Sequence, residues 1–151
     1  MTRPRSASGW MIAICGAWLV GLGLYFIFVR PALLPEDPRY IGLDLAAIRN
    51  SVPGLERWLG KVFTVMGGFM AGSGVLTLHL ALTVLPRRLP GTAGAVALAG
   101  LATVGLMSAV NFVLASDFRW ILVVPALLWA VGAALYAFES TRAGDGARDP
   151  C

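Results

Sequence analysis

Apolar residues in this chain fall into four long runs, Gly9–Val29, Val62–Leu85, Gly91–Ala115 and Phe118–Phe138. A helix needs about 20 mostly apolar residues to cross a hydrocarbon core of about 30 Å, because each residue advances about 1.5 Å. Every run is long enough. The pattern predicts four membrane-spanning helices, over 9–29, 55–85, 91–115 and 118–138. The second begins ahead of its apolar run, so Glu56, Arg57, Trp58 and Lys61 stand in the headgroup layer.

Polar residues and prolines punctuate the runs. Arg30-Pro31 ends the first, since proline disfavours helix at the residue before it. In the loop that follows, Asp37-Pro38 reads as a helix cap followed by the first helical residue. Ile41, Leu45, Ile48 and Val52 then recur at helical spacing. They predict one short amphipathic helix over 38–50, on the membrane surface or across the mouth of the bundle. Pro53-Gly54 breaks it, and Pro86-Arg87-Arg88-Leu89-Pro90 makes a tight basic turn. Asp117 reads as the cap of the fourth helix, and Pro125 predicts a kink within it. Residues 140–151 are polar and read as a disordered tail.

Small residues recur at heptad-like spacing in each helix. The columns are Gly9, Ala13, Gly16, Val20, Gly23; then Gly60, Thr64, Gly67, Ala71, Gly74; then Ala95, Ala99, Ala102, Ala109; then Ala126, Ala130, Ala133, Ala137. Small side chains let backbones approach where water does not drive association. The spacing predicts a left-handed, antiparallel, four-transmembrane-helix bundle, all-α and a single membrane domain. Gly68 and Gly72 form a GxxxG pair on another face of the second helix, suited to a second protomer.

Composition sharpens this picture. The chain has 151 residues, of which 58% are hydrophobic and 13% charged, about half the charged share of a soluble domain. The net charge of +4 does not indicate nucleic acid, because the arginines flank apolar spans and meet lipid headgroups there. Arginine far outnumbers the single lysine, Lys61, and Ala, Gly, Leu and Val abound. That bias points to a GC-rich bacterial genome and so to the bacterial inner membrane. Basic residues divide equally between the two sides. Arg3, Arg5, Arg87, Arg88, Arg142 and Arg148 oppose Arg30, Arg39, Arg49, Arg57, Lys61 and Arg119. The first set lies in short segments, where positive charge orients best, which favours cytoplasmic termini. Cys15 lies inside the first run and Cys151 ends the chain, so no disulfide is expected. With one histidine, no Cys/His metal site can be assembled, and no cofactor is implied.

Few residues invite chemistry. His79 is ionisable at membrane depth, where such groups often relay protons or anchor ligands, or it simply hydrogen-bonds Thr83 one turn on. Asn111 must find a partner, a neighbouring helix or a ligand. Trp18 and Trp129 fall near mid-membrane, level with Ser73 and Thr103. They either line a pocket for a flat apolar molecule or fill space beside glycines. Glu36, Asp37, Glu56, Arg57, Lys61, Asp117 and Arg119 gather at one face as a charged cluster, through ion pairs and headgroup contacts or as a binding site. Met66, Met70 and Met107 read as flexible packing. No catalytic motif appears. The expected role is a non-enzymatic accessory or scaffold protein in the bilayer, binding a membrane protein partner, a lipid or a second copy. The alternatives are a small transporter or channel subunit, and a membrane enzyme acting on lipid or quinone.

Overall fold

The computed structural model of the chain describes residues 6–145. Among these residues there is no strand. Four segments are long and apolar enough to cross a membrane: Ala7–Phe28, Leu55–Arg87, Thr92–Val113 and Arg119–Arg142.

Helix α1 (Ala7–Phe28) starts at Ser6, whose hydroxyl accepts from the Gly9 N–H at 3.3 Å and satisfies one of the free donors of the first turn. It closes where the N–H groups of Val29 and Arg30 both bond the Tyr25 carbonyl, just before Pro31. The loop then departs from the single helix expected over 38–50. Two short helices form, α2 (Glu36–Ile41) and α3 (Leu45–Ser51), separated by Gly42 at φ 80°. Asp44 is the side chain that caps, accepting from the Ala47 N–H at 2.6 Å. Asp37 lies inside α2, and its carboxylate reaches back to the Leu34 N–H at 2.7 Å. The break splits the expected apolar stripe. Ile48 is buried, whereas Ile41 and Val52 are exposed.

Helix α4 (Leu55–His79) continues through a π turn at Leu80–Val84 and a tight turn at Leu85–Arg87. Pro86 has no N–H to prolong the α ladder, and the Leu85 N–H reaches back five residues to Leu80. Arg88 (φ 51°) and Gly91 (φ 79°), both left-handed, reverse the chain. The third long segment comprises α5 (Thr92–Gly100), a π turn at Leu101–Gly105 and α6 (Leu106–Val113). Helix α7 (Arg119–Asp145) runs unbroken through Pro125. It also extends past the expected start of the polar tail. Residues 140–145 are helical, with Ser140 and Thr141 hydroxyls donating to the Tyr136 and Phe138 carbonyls. Arg3, Arg5, Arg148 and Cys151 lie outside the described residues.

The helices form a row. α1 lies between α4 and α7, and the third long segment packs on α7. Glycine sets the closest approach. Gly16 meets Gly74 and Leu78, and Gly23 meets Gly67 and Ala71, so backbone lies on backbone. The small-residue columns of α1 and α4 therefore do meet at these positions. Gly60 has open space and Thr64 is exposed, so the top of the α4 column is not a contact.

The column of the third segment is displaced, and that of α7 is met only in part. Ala95, Ala99, Ala102 and Ala109 are all exposed, and the third segment buries Thr92, Val96, Gly100, Val104 and Ser108 instead. α7 buries Pro125, Trp129, Gly132 and Tyr136, one residue ahead of its alanine column, of which Ala126 and Ala133 still pack against the core while Ala130 and Ala137 are exposed. Alanine is small enough either to pack or to face outward, so its spacing does not choose a face. The core is one cluster, with Ile12, Cys15 and Leu19 from α1, Ala81 and Leu85 below α4, Val96 and Val104, and Trp129 and Tyr136.

Candidate functional site

At the end that carries the 30–54 loop, the first polar centre is built on Arg30. Its guanidinium lies 3.6 Å over the Phe63 ring and 5.1 Å from that of Phe26. It donates to the Pro31 carbonyl at 2.8 Å and pairs with Asp37 at 3.9 Å. Burial lowers its pKa from the ordinary arginine value, opposed by the negative charge of Asp37. Beside it, Glu36 is buried, and one carboxylate oxygen accepts from the Ser116 hydroxyl at 2.9 Å. Ser116 in turn accepts from the Phe118 N–H. The second oxygen of Glu36 is buried without a partner.

The charged cluster expected at this end thus separates into distinct arrangements. Asp37 holds Arg30, and Glu36 holds Ser116. Asp117, expected as a helix cap, pairs with Arg39 at 2.9 Å, and Glu56 pairs with Arg49 at 3.0 Å. Arg57, Lys61 and Arg119 have no ion pair among the described residues. Arg57 and Lys61 stand one turn apart on α4 and are exposed. No group of three or more His, Cys, Asp or Glu side chains with metal-binding geometry occurs among the described residues.

Trp18, Trp129, Thr103, Asn111 and His79 make separate contacts. Trp129 is buried, donates its indole N–H to the Val96 carbonyl at 2.8 Å, and lies directly on Gly100. It locks α7 to α5. The Trp18 indole N–H has no partner. Thr103 donates to the Ala99 carbonyl one turn back. Asn111 likewise donates to the Met107 carbonyl of its own helix, rather than to a neighbour. At His79, the bond with Thr83 is made by the backbone and not by the imidazole. The Thr83 hydroxyl donates to the His79 backbone carbonyl at 2.6 Å, and the imidazole is exposed.

Ser73 lines a shallow groove of about 450 Å³ with Val65, Gly68, Phe69, Gly72 and Leu76. This groove runs along the face of α4 turned away from α1. Lys61, Val65, Gly68, Gly72, Leu76 and His79 follow spacings of four, three, four, four and three, one continuous stripe of the helix. All six are exposed. A Cβ added at Gly68 or Gly72 would meet nothing within 4 Å, in contrast to Gly67 and Gly74 on the opposite face.

Comparison with protein-family models, with curated proteins and with solved structures finds no match to the chain.

A second polar centre sits at the other end and was not anticipated from the sequence. Ser8 and Arg88 both donate to one oxygen of Glu139, each at 2.9 Å, and Arg88 also donates to Ser140 at 3.2 Å. One glutamate thereby ties the start of α1, the turn after α4 and the end of α7. The signal available was Glu139 itself, a lone acid just beyond the fourth apolar run, when an arginine pair lies in the 86–90 turn.

Proposed function

We propose that the protein is an integral membrane protein of the bacterial inner membrane, an antiparallel left-handed bundle of four spans. It acts as a non-enzymatic accessory or scaffold protein that binds a membrane partner or lipid along the outward face of α4. The observation that carries this reading is the two-sidedness of α4. Its Gly67/Gly74 face is filled by α1, while its Gly68/Gly72 face is an open groove from Val65 to Leu76, on a stripe of exposed positions that runs on to Lys61 and His79. Lys61 and His79 are about 27 Å apart at about 1.5 Å per residue, close to the thickness of the hydrocarbon core. His79 then stands near the far boundary, not at mid-depth. A transporter reading would want the imidazole turned inward, and it faces outward.

A photo-reactive residue at position 68, in native membranes, tests the reading. Adducts with lipid or protein at 68, in excess of those at the exposed control position Leu98 on α5, support it. Equal capture at both positions overturns it. Orientation is tested separately, in a Cys151→Ser background. With cytoplasmic termini, Asp44→Cys is labelled from outside and Arg87→Cys is not. The reverse pattern overturns that topology.

A further inference from the structure

We propose that the α4 groove binds an anionic glycerophospholipid, its phosphate held by Arg57 and Lys61 and one acyl chain laid over Gly68 and Gly72. This rests on the outward face of α4 being the binding surface. Three features select this occupant. The first is charge. Arg39 and Arg49 are paired with Asp117 and Glu56, and the Arg30 side chain is buried over Phe63. Arg57 and Lys61 remain as an exposed cationic pair one turn apart, with Trp58, 62% exposed, between them at the level where aromatic rings favour headgroups.

The second is length. Gly68 and Gly72 lie about 10 and 16 Å beyond Lys61 along the helix, and one leaflet supplies about 15 Å of hydrocarbon, half of the core. A chain descending from a phosphate at Lys61 reaches both glycines. The third is shape. Phe69, 75% exposed, stands beside the glycine floor, and Val65 and Leu76, 60% and 72% exposed, stand in line with it at its two ends, leaving a recess that a flexible chain can bend into. A second copy fits less well. A two-fold axis along the membrane normal would set Lys61 against Lys61 and Arg57 against Arg57, and like charges repel.

The full-length protein, in micelles holding equimolar phosphatidylglycerol and phosphatidylcholine, is examined by native mass spectrometry. The first retained lipid is expected to be phosphatidylglycerol, enriched about fivefold over phosphatidylcholine. Arg57→Gln with Lys61→Gln should bring the two lipids to parity, while Arg119→Gln, another unpaired cation at this end, leaves the enrichment intact. Gly68→Leu with Gly72→Leu should reduce retention of both lipids without lowering the unfolding temperature, since the added side chains enter open space. Parity in the parent protein overturns the proposal, as does an equal loss in Arg119→Gln. A disulfide-linked homodimer from Gly68→Cys in native membranes, in the Cys151→Ser background, also overturns it. That last result keeps the α4 face as the binding surface with a second copy as its occupant. Position 68 capturing no more than position 98 removes the binding surface itself.

Discussion

A Cβ built on Gly23 would stand 2.5 Å from the Ala71 nitrogen and 2.6 Å from the Gly67 carbonyl oxygen, both backbone atoms of α4. Neither can swing aside as a side-chain tip would, so the two helices must separate. Gly23→Ala is therefore expected to destabilise the protein by about 1–3 kcal/mol, the usual range for overpacking. Gly68→Ala, a residue of the same type in open space, should be neutral or stabilise by up to about 1 kcal/mol through helix propensity. Unfolding in detergent measures both. Equal effects would sink the assignment of opposite roles to the two faces of α4. Glu36 supports a second residue-scale prediction. Its bond to Ser116 needs an acceptor, not a charge, and its other oxygen has no partner. Glu36→Gln keeps the acceptor and removes a buried charge, so stability should change little. Glu36→Ala leaves the Ser116 hydroxyl without its acceptor and should cost about 1–3 kcal/mol. A glutamine variant as damaged as the alanine variant would show that the charge itself holds the loop.

At the scale of the element, the third long segment shows how a π turn sets a face. Thr92, Val96, Gly100, Val104 and Ser108 are spaced by four throughout, yet all are buried. In a regular α-helix, steps of four drift by about 40° each, so four steps would carry Ser108 about 160° from Thr92. The π turn at Leu101–Gly105 takes one extra residue into a turn and recovers much of that drift. Deleting the exposed Ala102 should convert the turn to regular α-helix with spacings of four, four, three and four, which still share one face. The variant is expected to keep its helicity by circular dichroism, and its stability within about 1 kcal/mol. Collapse of the fold would mean that the π turn does more than adjust register. This turn also explains what sequence reading could and could not see. The four apolar runs speak directly, because whether a helix is long and apolar enough to cross a core of about 30 Å is counted from the residues alone. Glycine contacts on α1 and α4 were legible because glycine at Gly16, Gly23, Gly67 and Gly74 permits an approach that no other residue does. The face of the third segment was not, and that of α7 only at Ala126 and Ala133, since a π turn leaves no residue signature and Trp129 or Tyr136 is buried by what it touches, not by its spacing. The break at Gly42 was readable in principle. Gly-x-Asp before an apolar pair is a stop followed by a cap, but the continuous Ile41–Val52 spacing masked it.

At the scale of the molecule, packing alone does not close the row. α4 stands at one edge beside α1, and α5 and α6 at the other beside α7. The two polar centres tie its two ends, on either side of the common core. At one end, Glu36 and Arg39 of the loop hold Ser116 and Asp117 of the turn before α7. At the other, Glu139 receives Ser8 and Arg88. The second tie involves three separate stretches of chain through one carboxylate, so its loss has a spatial signature. Glu139→Gln keeps an acceptor but weakens the bond to a cation, whereas Glu139→Ala leaves Ser8 and Arg88 without their shared partner. Both partners are partly exposed, with side-chain accessibilities of 21% for Arg88 and 28% for Glu139, so water recovers part of the loss. The alanine variant should cost about 1 kcal/mol, toward the low end for a charge-assisted bond. Hydrogen exchange gives the sharper readout. Protection should fall together at the first turn of α1, at residues 85–92 and at the end of α7, and stay unchanged around Ser116 and Phe118. Loss confined to the end of α7 would show that Glu139 secures only its own helix, and that the row is closed from the other end.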